Sequence, residues 1–201
     1  MKPTPLSMRP DGPMGRPFAK IMERMNAPSY EAVLDALSLQ RGEAVLEVGF
    51  GTGEFLRRAA TRMQAGYLAG VDPAPLMVEM ATARLLPAPA SLTIELREAG
   101  ADTFDWPPGT FDAVAAIHSF QFWDAPEAAL IHIRALLKPG GRLCLCLREH
   151  GKSPPQWLPN PISRAPDETS RLLVLLADCG FSNPHIKSGE RRAVLVLAHA
   201  P

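Results

Sequence analysis

The chain carries no excess charge of either sign, because 21 lysine and arginine residues balance 21 aspartate and glutamate residues. A surface that binds nucleic acid usually brings a basic excess, so we expect no nucleic-acid partner. The sequence also lacks an apolar run of the roughly 20 residues that a membrane span requires. Residues 1–5 lack the apolar segment of a secretory signal peptide. These absences predict a cytoplasmic protein without a membrane span.

Cysteine is scarce as well, with three residues among 201. Cys144 and Cys146 lie two apart in an apolar run typical of a strand, so their side chains point to one face. This pattern favours small buried core residues in a reducing cytosol over metal binding. We therefore predict no metal site.

What the sequence does contain is a glycine-rich turn directly after an apolar run. Ala44-Val45-Leu46 leads into Glu47-Val48-Gly49-Phe50-Gly51-Thr52-Gly53, which predicts a buried strand, a tight turn and the start of a helix. Glycine has no Cβ, so the backbone N–H groups of such a turn can approach a nucleotide-like ligand closely. Asp72 ends the next apolar run, where a carboxylate can accept hydrogen bonds from both hydroxyls of a ribose. Together these residues predict a site for a nucleoside-containing cofactor.

The spacing of the glycines argues against a dinucleotide. A dinucleotide-binding loop carries glycine at its first, third and sixth positions, and the sixth position counted from Gly49 is Glu54. A glutamate at the start of the helix repels a pyrophosphate, since helix N-termini attract anions and two anions there compete. A nicotinamide-dependent oxidoreductase is therefore disfavoured.

The arrangement acidic-x-Gly-x-Gly-x-Gly, with Glu47 as the acid, resembles motif I of the class I S-adenosylmethionine-dependent methyltransferases. Residues 70–81 look like the second strand and following helix of that family, residues 109–114 like the entry to its fourth strand, and residues 136–143 like the turn into its fifth. The resemblance covers residues 28–149 and is closest to the small ubiquinone/menaquinone-biosynthesis-like methyltransferases. It implies S-adenosylmethionine as the cofactor, which carries an amino group and a sulfonium but no phosphate, so acidic residues beside the loop suit it.

Runs typical of strands alternate with helical patterns along most of the chain, which predicts a parallel sheet with helices on both faces. A hairpin near the C-terminus is consistent with the antiparallel last strand of the family. We therefore expect an α/β fold with a Rossmann-like seven-stranded sheet, mostly parallel, with an antiparallel last strand. The predicted strands are 44–49, 67–72, 92–97, 111–118, 142–148, 183–189 and 192–199, and the predicted helices are 53–64, 74–86, 125–137 and 167–178.

The N-terminal part of the chain departs from this alternation. Residues 1–17 are rich in proline and glycine and are predicted to form an irregular tail. Phe18, Met22 and Met25 follow on one face of a short helix, which Asn26-Ala27-Pro28-Ser29 is predicted to break before a second helix over 29–39. The predicted organisation is an N-terminal tail with a short lid helix, residues 1–27, and a single methyltransferase domain, residues 28–201, whose segment 151–166 is irregular.

The resemblance also implies roles for individual residues. Glu47 faces the methionyl end of the cofactor, and Asp72 binds the ribose. Pro73 and Met77 pack against the adenine. The predicted cofactor-binding residues are Glu47, Gly49, Phe50, Gly51, Gly53, Asp72, Pro73, Met77, Ala101, Asp102 and His118.

One position departs from the family. The family often has Gly-Asp-Ala after its third strand, with the aspartate on the adenine amino group, whereas this chain has Ala99-Gly100-Ala101. Either Asp102 takes the place of the missing acid, or the backbone of Ala101 contacts the adenine alone.

His118 follows the fourth predicted strand and is the candidate catalytic residue. Imidazole titrates near neutral pH and could take a proton from an acceptor hydroxyl or amine. The alternative is a backbone contact to the methionyl part of the cofactor, with the side chain only packed. We favour this alternative, because methyl transfer from a sulfonium often needs little beyond positioning.

Several aromatic residues and methionines fall in segments that this fold places over the strand ends. They predict a largely apolar acceptor pocket under a lid. Ordinary core packing is one alternative, and a surface that docks a protein or a membrane is another. The predicted acceptor and lid residues are Phe18, Met22, Met25, Phe122, Trp123 and Trp157.

The predicted function is transfer of a methyl group to an oxygen, nitrogen or carbon atom of a small, partly apolar acceptor, mainly by proximity and orientation. The alternative is a protein of the same fold that binds S-adenosylmethionine without methylating anything. Formation of S-adenosylhomocysteine with an acceptor separates the two.

Overall fold

Strands and helices alternate through the residues that this computed structural model describes, namely 14–64, 66–149, 163–164, 166–189 and 193–201. The helices are α1 (Gly15–Leu37), α2 (Glu54–Met63), α3 (Pro75–Leu85), α4 (Pro126–Leu136) and α5 (Pro166–Asp178). The strands are β1 (Ala44–Val48), β2 (Gly66–Asp72), β3 (Leu92–Glu98), β4 (Phe111–Ile117), β5 (Leu137–Glu149), β6 (Ser163–Arg164), β7 (Ser182–Ser188) and β8 (Ala193–His199). A short 3₁₀ helix covers Phe120–Phe122.

Seven strands lie side by side in the order β3-β2-β1-β4-β5-β8-β7. The pairs among β1 to β5 are parallel, whereas β8 is antiparallel to both of its neighbours. The predicted Rossmann-like sheet is thereby confirmed. One short strand was not predicted, since β6 pairs with the end of β5 within the segment expected to be irregular. The strand order reverses between β1 and β4, which opens a crevice at the carboxyl ends of these strands.

Each face of the sheet has its own buried core. Successive strand residues point to opposite faces, so Leu46 packs with α4 and α5 whereas Val45 packs with α1, α2 and α3. Cys144 and Cys146 are buried free thiols in this second core, as predicted. Because helices cover both faces, the central strands are almost entirely apolar, and Glu47 is the charged exception in β1.

The helix break predicted at residues 26–29 is wrong, because α1 is one continuous helix with Pro28 inside it. A proline removes one backbone donor and costs a helix interior about 3 kcal/mol. Packing on both sides of the proline offsets this cost, since Ala19 is 4% exposed and Leu34 is 1% exposed. The expected lid helix and the expected first helix of the domain are therefore a single element.

Ion pairs fasten α1 to the two helices beside it. Its residue Glu31 pairs with Arg58 and Arg62 of α2. Nearer the N-terminus, Glu23 accepts hydrogen bonds from Arg84 of α3 at 2.8 Å and from Thr52 of the glycine-rich turn at 2.5 Å. These contacts fix α1 against the turn that follows β1.

We expect Arg84→Met to lower the free energy of unfolding by about 1–2 kcal/mol, because Glu23 would keep its charge in a partly buried place without its cation. The side chain of Glu23 is 19% exposed. Arg16→Met is the matched control, since Arg16 pairs with Glu79 on an exposed surface, where an ion pair contributes little. Urea denaturation followed by circular dichroism measures both variants. Equal losses would contradict the role given to Arg84.

Candidate active site

A cavity of about 440 Å³ lies at the carboxyl ends of β1, β2 and β4, where the strand order reverses. Its wall consists of the turns that follow β1, β2, β3 and β4, together with one side of α1. The volume is in the range of small-molecule sites. The predicted site residues that line the cavity are Phe18, Met22, Glu47, Gly49, Phe50, Gly51, Asp72, Pro73, Met77, Ala101, Asp102, His118, Phe122 and Trp123.

The turn after β1 touches the turn after β4, and Gly49 makes this contact possible. Gly49 has a φ of 82°, and a Cβ at this residue would lie 2.4 Å from the Cβ of Ser119. Ser119 in turn donates a hydrogen bond to the carbonyl of Val48 at 2.5 Å. A residue larger than glycine would therefore push the two turns apart.

Asp72 joins the turn after β1 to the start of α3. Its Oδ2 accepts a hydrogen bond from the N–H of Gly51 at 2.8 Å, and its Oδ1 accepts one from the N–H of Ala74 at 2.9 Å. Each carboxylate oxygen has two lone pairs, so the predicted ribose hydroxyls can be additional donors. Replacing Asp72 would thus change the shape of the turn as well as remove the predicted ribose contact.

Glu47 is a buried carboxyl group in the cavity wall. It is 2% exposed, and its Oε2 has no hydrogen-bond partner among the described residues. Burial, and then the charge of Asp72, raise the pKa of Glu47 well above its ordinary value. Such a group destabilises the unliganded fold, and a ligand that brings a positive charge or a hydrogen-bond donor relieves that cost.

The charged residues of the cavity wall are acidic. Among the described residues that line it, none is lysine or arginine, and the acids are Glu23, Glu47, Asp72, Asp102 and Asp124. Glu54, beside the glycine-rich turn, is ionised, because hydrogen bonds from Arg57 and Arg58 lower its pKa to about 2, and these arginines balance its charge. Such a wall repels a pyrophosphate and attracts a sulfonium or an ammonium group. The acidic wall and the unpartnered oxygen of Glu47 fit S-adenosylmethionine.

His118 lies where β4 ends, with a φ of 53° that residues other than glycine seldom adopt. The residue is 8% exposed, and its Nε2 lies 3.0 Å from the Oγ of Ser29 in α1. Burial, and then the charge of Arg148, lower the pKa of His118 from 6.5 to about 4. The imidazole is therefore neutral at physiological pH, and one of its nitrogens is taken up by α1. This geometry favours packing as the role of the side chain, and its part in the reaction stays a prediction.

The predicted acceptor residues that line the wall come from α1 and from the turn after β4. Phe18 and Met22 contribute from α1, and Phe122 and Trp123 contribute from the turn. Trp123 packs edge-on against Phe120, with 5.0 Å between the ring centroids. The predicted acceptor residues and the predicted cofactor residues therefore meet in one cavity.

Three predicted residues are not part of the described wall. Gly53 begins α2, and a Cβ there would lie 2.9 Å from the Cβ of Ala81, so this glycine allows α2 and α3 to pack closely. Met25 is 48% exposed on the outer side of α1. Trp157 lies outside the described residues.

The turn after β3 brings both candidates for the adenine contact to the wall. Ala101 is partly buried there, and Asp102 is exposed. Each is placed to meet a ligand in the cavity, so the two alternatives remain open predictions.

α1 also supplies polar wall residues that were not predicted, namely Glu23, Asn26 and Tyr30. Burial, followed by the charges of Glu47 and Glu23, raises the pKa of Tyr30, so its hydroxyl keeps its proton at neutral pH. The sequence contained a signal for the side of α1 that lines the cavity, because residues 18, 22, 26 and 30 are spaced by four and therefore lie close together on one helix. The wrongly predicted break interrupted that series.

Comparisons with known proteins agree with the fold and the cavity. A sequence family described as "Methyltransferase domain" matches residues 46–145. The uncharacterized methyltransferase YdaC of Bacillus subtilis is 28% identical over 136 residues, which are 67% of this chain and 73% of that protein. The demethylmenaquinone methyltransferase of Thermus thermophilus is 32% identical over 108 residues, which are 53% of this chain and 48% of that protein. A crystal structure of a SAM dependent methyltransferase from Aquifex aeolicus matches with a TM-score of 0.72 at 21% identity, covering 91% of this chain and 97% of that one.

The chain spans about half or less of the length of several relatives, the Thermus protein among them. The matched segment nevertheless contains the glycine-rich turn, Asp72 and His118, on which the cavity is built. As its motifs predicted, the chain belongs to the class I S-adenosylmethionine-dependent methyltransferases, and its cofactor is S-adenosylmethionine.

Proposed function

We propose that this protein transfers the methyl group of S-adenosylmethionine to an oxygen, nitrogen or carbon atom of a small, partly apolar acceptor, mainly by proximity and orientation. The observation that carries the proposal is the buried carboxyl group of Glu47, whose Oε2 has no hydrogen-bond partner among the described residues. A positively charged amino group would supply that partner and allow Glu47 to release the proton that its raised pKa retains in the unliganded fold. The methionyl part of the cofactor carries such a group.

The apolar side chains in the cavity wall support an acceptor with apolar parts. The large ones among them include Phe18, Met22, Phe122 and Trp123. A polar group that lines the same cavity, such as the hydroxyl of Tyr30, is suited to orienting an acceptor. An aromatic or otherwise apolar body that carries one nucleophilic atom fits this composition.

When bound, S-adenosylmethionine supplies a methyl carbon that is electrophilic because it is attached to a sulfonium. The wall residues hold an acceptor against that carbon and exclude water, which together can account for a large part of the rate. His118 is a weak base at neutral pH, since its pKa is about 4. Tyr30 keeps its proton, so it can donate a hydrogen bond to an acceptor but not remove its proton. Positioning therefore outweighs proton transfer in the chemistry that we propose.

Calorimetry tests the cofactor side of the proposal. We expect S-adenosylmethionine and S-adenosylhomocysteine to bind at least about a hundredfold more tightly than NAD, because the acidic wall repels a pyrophosphate. Formation of S-adenosylhomocysteine with a panel of small phenols, amines and carbon acids then tests transfer. Tighter binding of NAD would overturn the proposal. Tight binding of the cofactor without turnover on any member of the panel would favour the non-methylating alternative.

Glu47→Gln is expected to act in opposite directions on the free and the liganded protein. The folded state of the wild type holds a proton on Glu47 that the unfolded chain releases, so its stability falls as pH rises from the ordinary glutamate pKa toward the raised one. The variant lacks this loss, and we expect it to be the more stable apoprotein at neutral pH. S-adenosylmethionine should stabilise it less than it stabilises the wild type.

Thermal unfolding at pH 5 and pH 7.5, with and without S-adenosylmethionine, measures both effects of the Glu47 substitution. Glu98→Gln, at an exposed position at the end of β3, is the control and should leave both unchanged. Equal stabilisation of the wild type and Glu47→Gln by the cofactor would contradict the role given to Glu47.

His118→Asn tests whether the imidazole acts as a base, and asparagine is chosen because it tolerates a positive φ. We expect activity to fall by less than about tenfold with cofactor binding intact, since general-base catalysis contributes about 10²–10⁴-fold and this side chain is engaged with Ser29. Initial rates at saturating cofactor, with Ser29→Ala measured beside it, give the answer. A loss of about a hundredfold or more in His118→Asn alone would establish a base.

A further inference from the structure

The N-terminal half of α1 carries an exposed apolar stripe. Met14, Phe18, Ile21 and Met25 follow at spacings of four, three and four residues, so they share one side of the helix. Met14 is 67% exposed, Ile21 54% and Met25 48%. Single exposed apolar residues are common on protein surfaces, but a row of them on one helix marks a surface that binds something.

Two unpaired cations border this stripe. Lys20 and Arg24 lie four residues apart on the exposed surface of α1. Neither forms an ion pair or a side-chain hydrogen bond with any residue that the structure describes. Other arginines near α1 behave differently, because Arg58 and Arg62 are held by acids of α1 and Arg16 of α1 is held by Glu79. Within the described part of the chain, Lys20 and Arg24 therefore have no counter-ion and suit an external anion.

We propose that this surface, which we call the α1 docking face and define as Met14, Ile21 and Met25 with Lys20 and Arg24, binds the surface of an anionic lipid bilayer. A helix with apolar residues on one side and lysine or arginine beside them lies in the interface, with carbon atoms among the acyl chains and cations at the lipid phosphates. Surface binding of this kind differs from spanning, and within the described ranges no helix is long and apolar enough to cross a membrane.

A second copy of the chain fits this face less well. A two-fold dimer that pairs the apolar stripes of two antiparallel α1 helices would place Lys20 and Arg24 of one copy on the same side as the same cations of the other. Like charges without counter-ions oppose such a contact, whereas anionic headgroups neutralise them. The charge pattern therefore selects a bilayer over self-association.

The docking face adjoins the cavity through a shared helix. Phe18 belongs to the apolar stripe and also lines the cavity. Met22, which follows Ile21, lines the cavity as well. Phe18 thus connects the apolar stripe with the cavity wall. For the methyl transfer proposed above, a bilayer on this face would bring a lipid-soluble acceptor close to the cavity. Binding to a bilayer is measured without turnover, so this proposal is tested independently of the proposed methyl transfer.

Co-sedimentation of the full chain with extruded vesicles tests the proposal. We expect binding to phosphatidylcholine vesicles that contain phosphatidylglycerol to be at least about tenfold tighter than binding to pure phosphatidylcholine, and to weaken in high salt. Lys20→Glu with Arg24→Glu, and separately Met14→Ser with Ile21→Ser, should each reduce it about tenfold or more. The matched control is Ile186→Ser with Lys187→Glu, an exposed apolar and basic pair on the edge strand β7, which should bind like the wild type.

Circular dichroism and calorimetry with S-adenosylmethionine establish that all variants fold and hold the cofactor, so that a loss of vesicle binding is specific. Three outcomes overturn the proposal: no binding to anionic vesicles, equal binding to neutral vesicles, or an equal loss in the control. Sedimentation velocity adds a fourth, in which Met14→Ser with Ile21→Ser abolishes a dimer and the vesicles are not bound. That result would assign the face to a second copy of the chain.

Discussion

The carboxylate of Asp72 connects the pieces from which the site is assembled. It stands at the end of β2 and accepts hydrogen bonds from the backbone of Gly51, in the turn after β1, and of Ala74, at the start of α3. Parallel strands bring these segments close together, but they do not fix the path of the glycine-rich turn. Two backbone donors on one buried carboxylate do so. The charge that shapes the turn also raises the pKa of the neighbouring Glu47, so the construction of the turn and the acidity of the cavity are linked.

A wall with several acids and no basic residue among those described is unfavourable in the absence of a ligand. The protein compensates outside the cavity rather than within it. Arg84 pairs with Glu23 at one margin of the cavity, and Arg57 and Arg58 pair with Glu54 at the start of α2. Glu47 has no such cation among the described residues, and its raised pKa keeps it protonated in the unliganded fold. A cationic ligand would allow this carboxyl group to ionise.

Much of the fold could be predicted because its signals are local. Short stretches of sequence were enough to predict the strands, the turns and the place of Asp72 at the end of a strand. The predicted strands match their observed bounds within one residue, except β5, which begins earlier at Leu137. The continuous α1 could not be predicted this way. Pro28 is an unfavourable helix residue by itself, and what retains it is packing and ion pairing with α2 and α3, which are distant in sequence.

The candidate site could be predicted from the sequence to a similar extent. Glycines and acids at strand ends predict a cofactor cavity, but the pairing of His118 with Ser29 depends on α1, whose position no local pattern reveals. The second proline-rich segment shows the same limit, because the expected irregular stretch contains the short strand β6 on the end of β5. Trp157, which was assigned to the acceptor pocket, lies outside the described residues. Its role stays a prediction.

α1 contributes both to the predicted cofactor site and to the predicted acceptor pocket. It adds Glu23, Phe18 and Met22 to the cavity wall. Its ion pairs with α2 and α3 join it to the helices beside it, and its predicted role as a lid stays a prediction. A consequence concerns truncation: removing residues 1–27 would cut a continuous helix and leave Arg84 without Glu23, so it would reduce stability as well as activity. Point substitutions at Phe18 or Met22 are therefore a more direct test of the predicted acceptor pocket, because they change the cavity wall and leave the ion pairs of α1 in place.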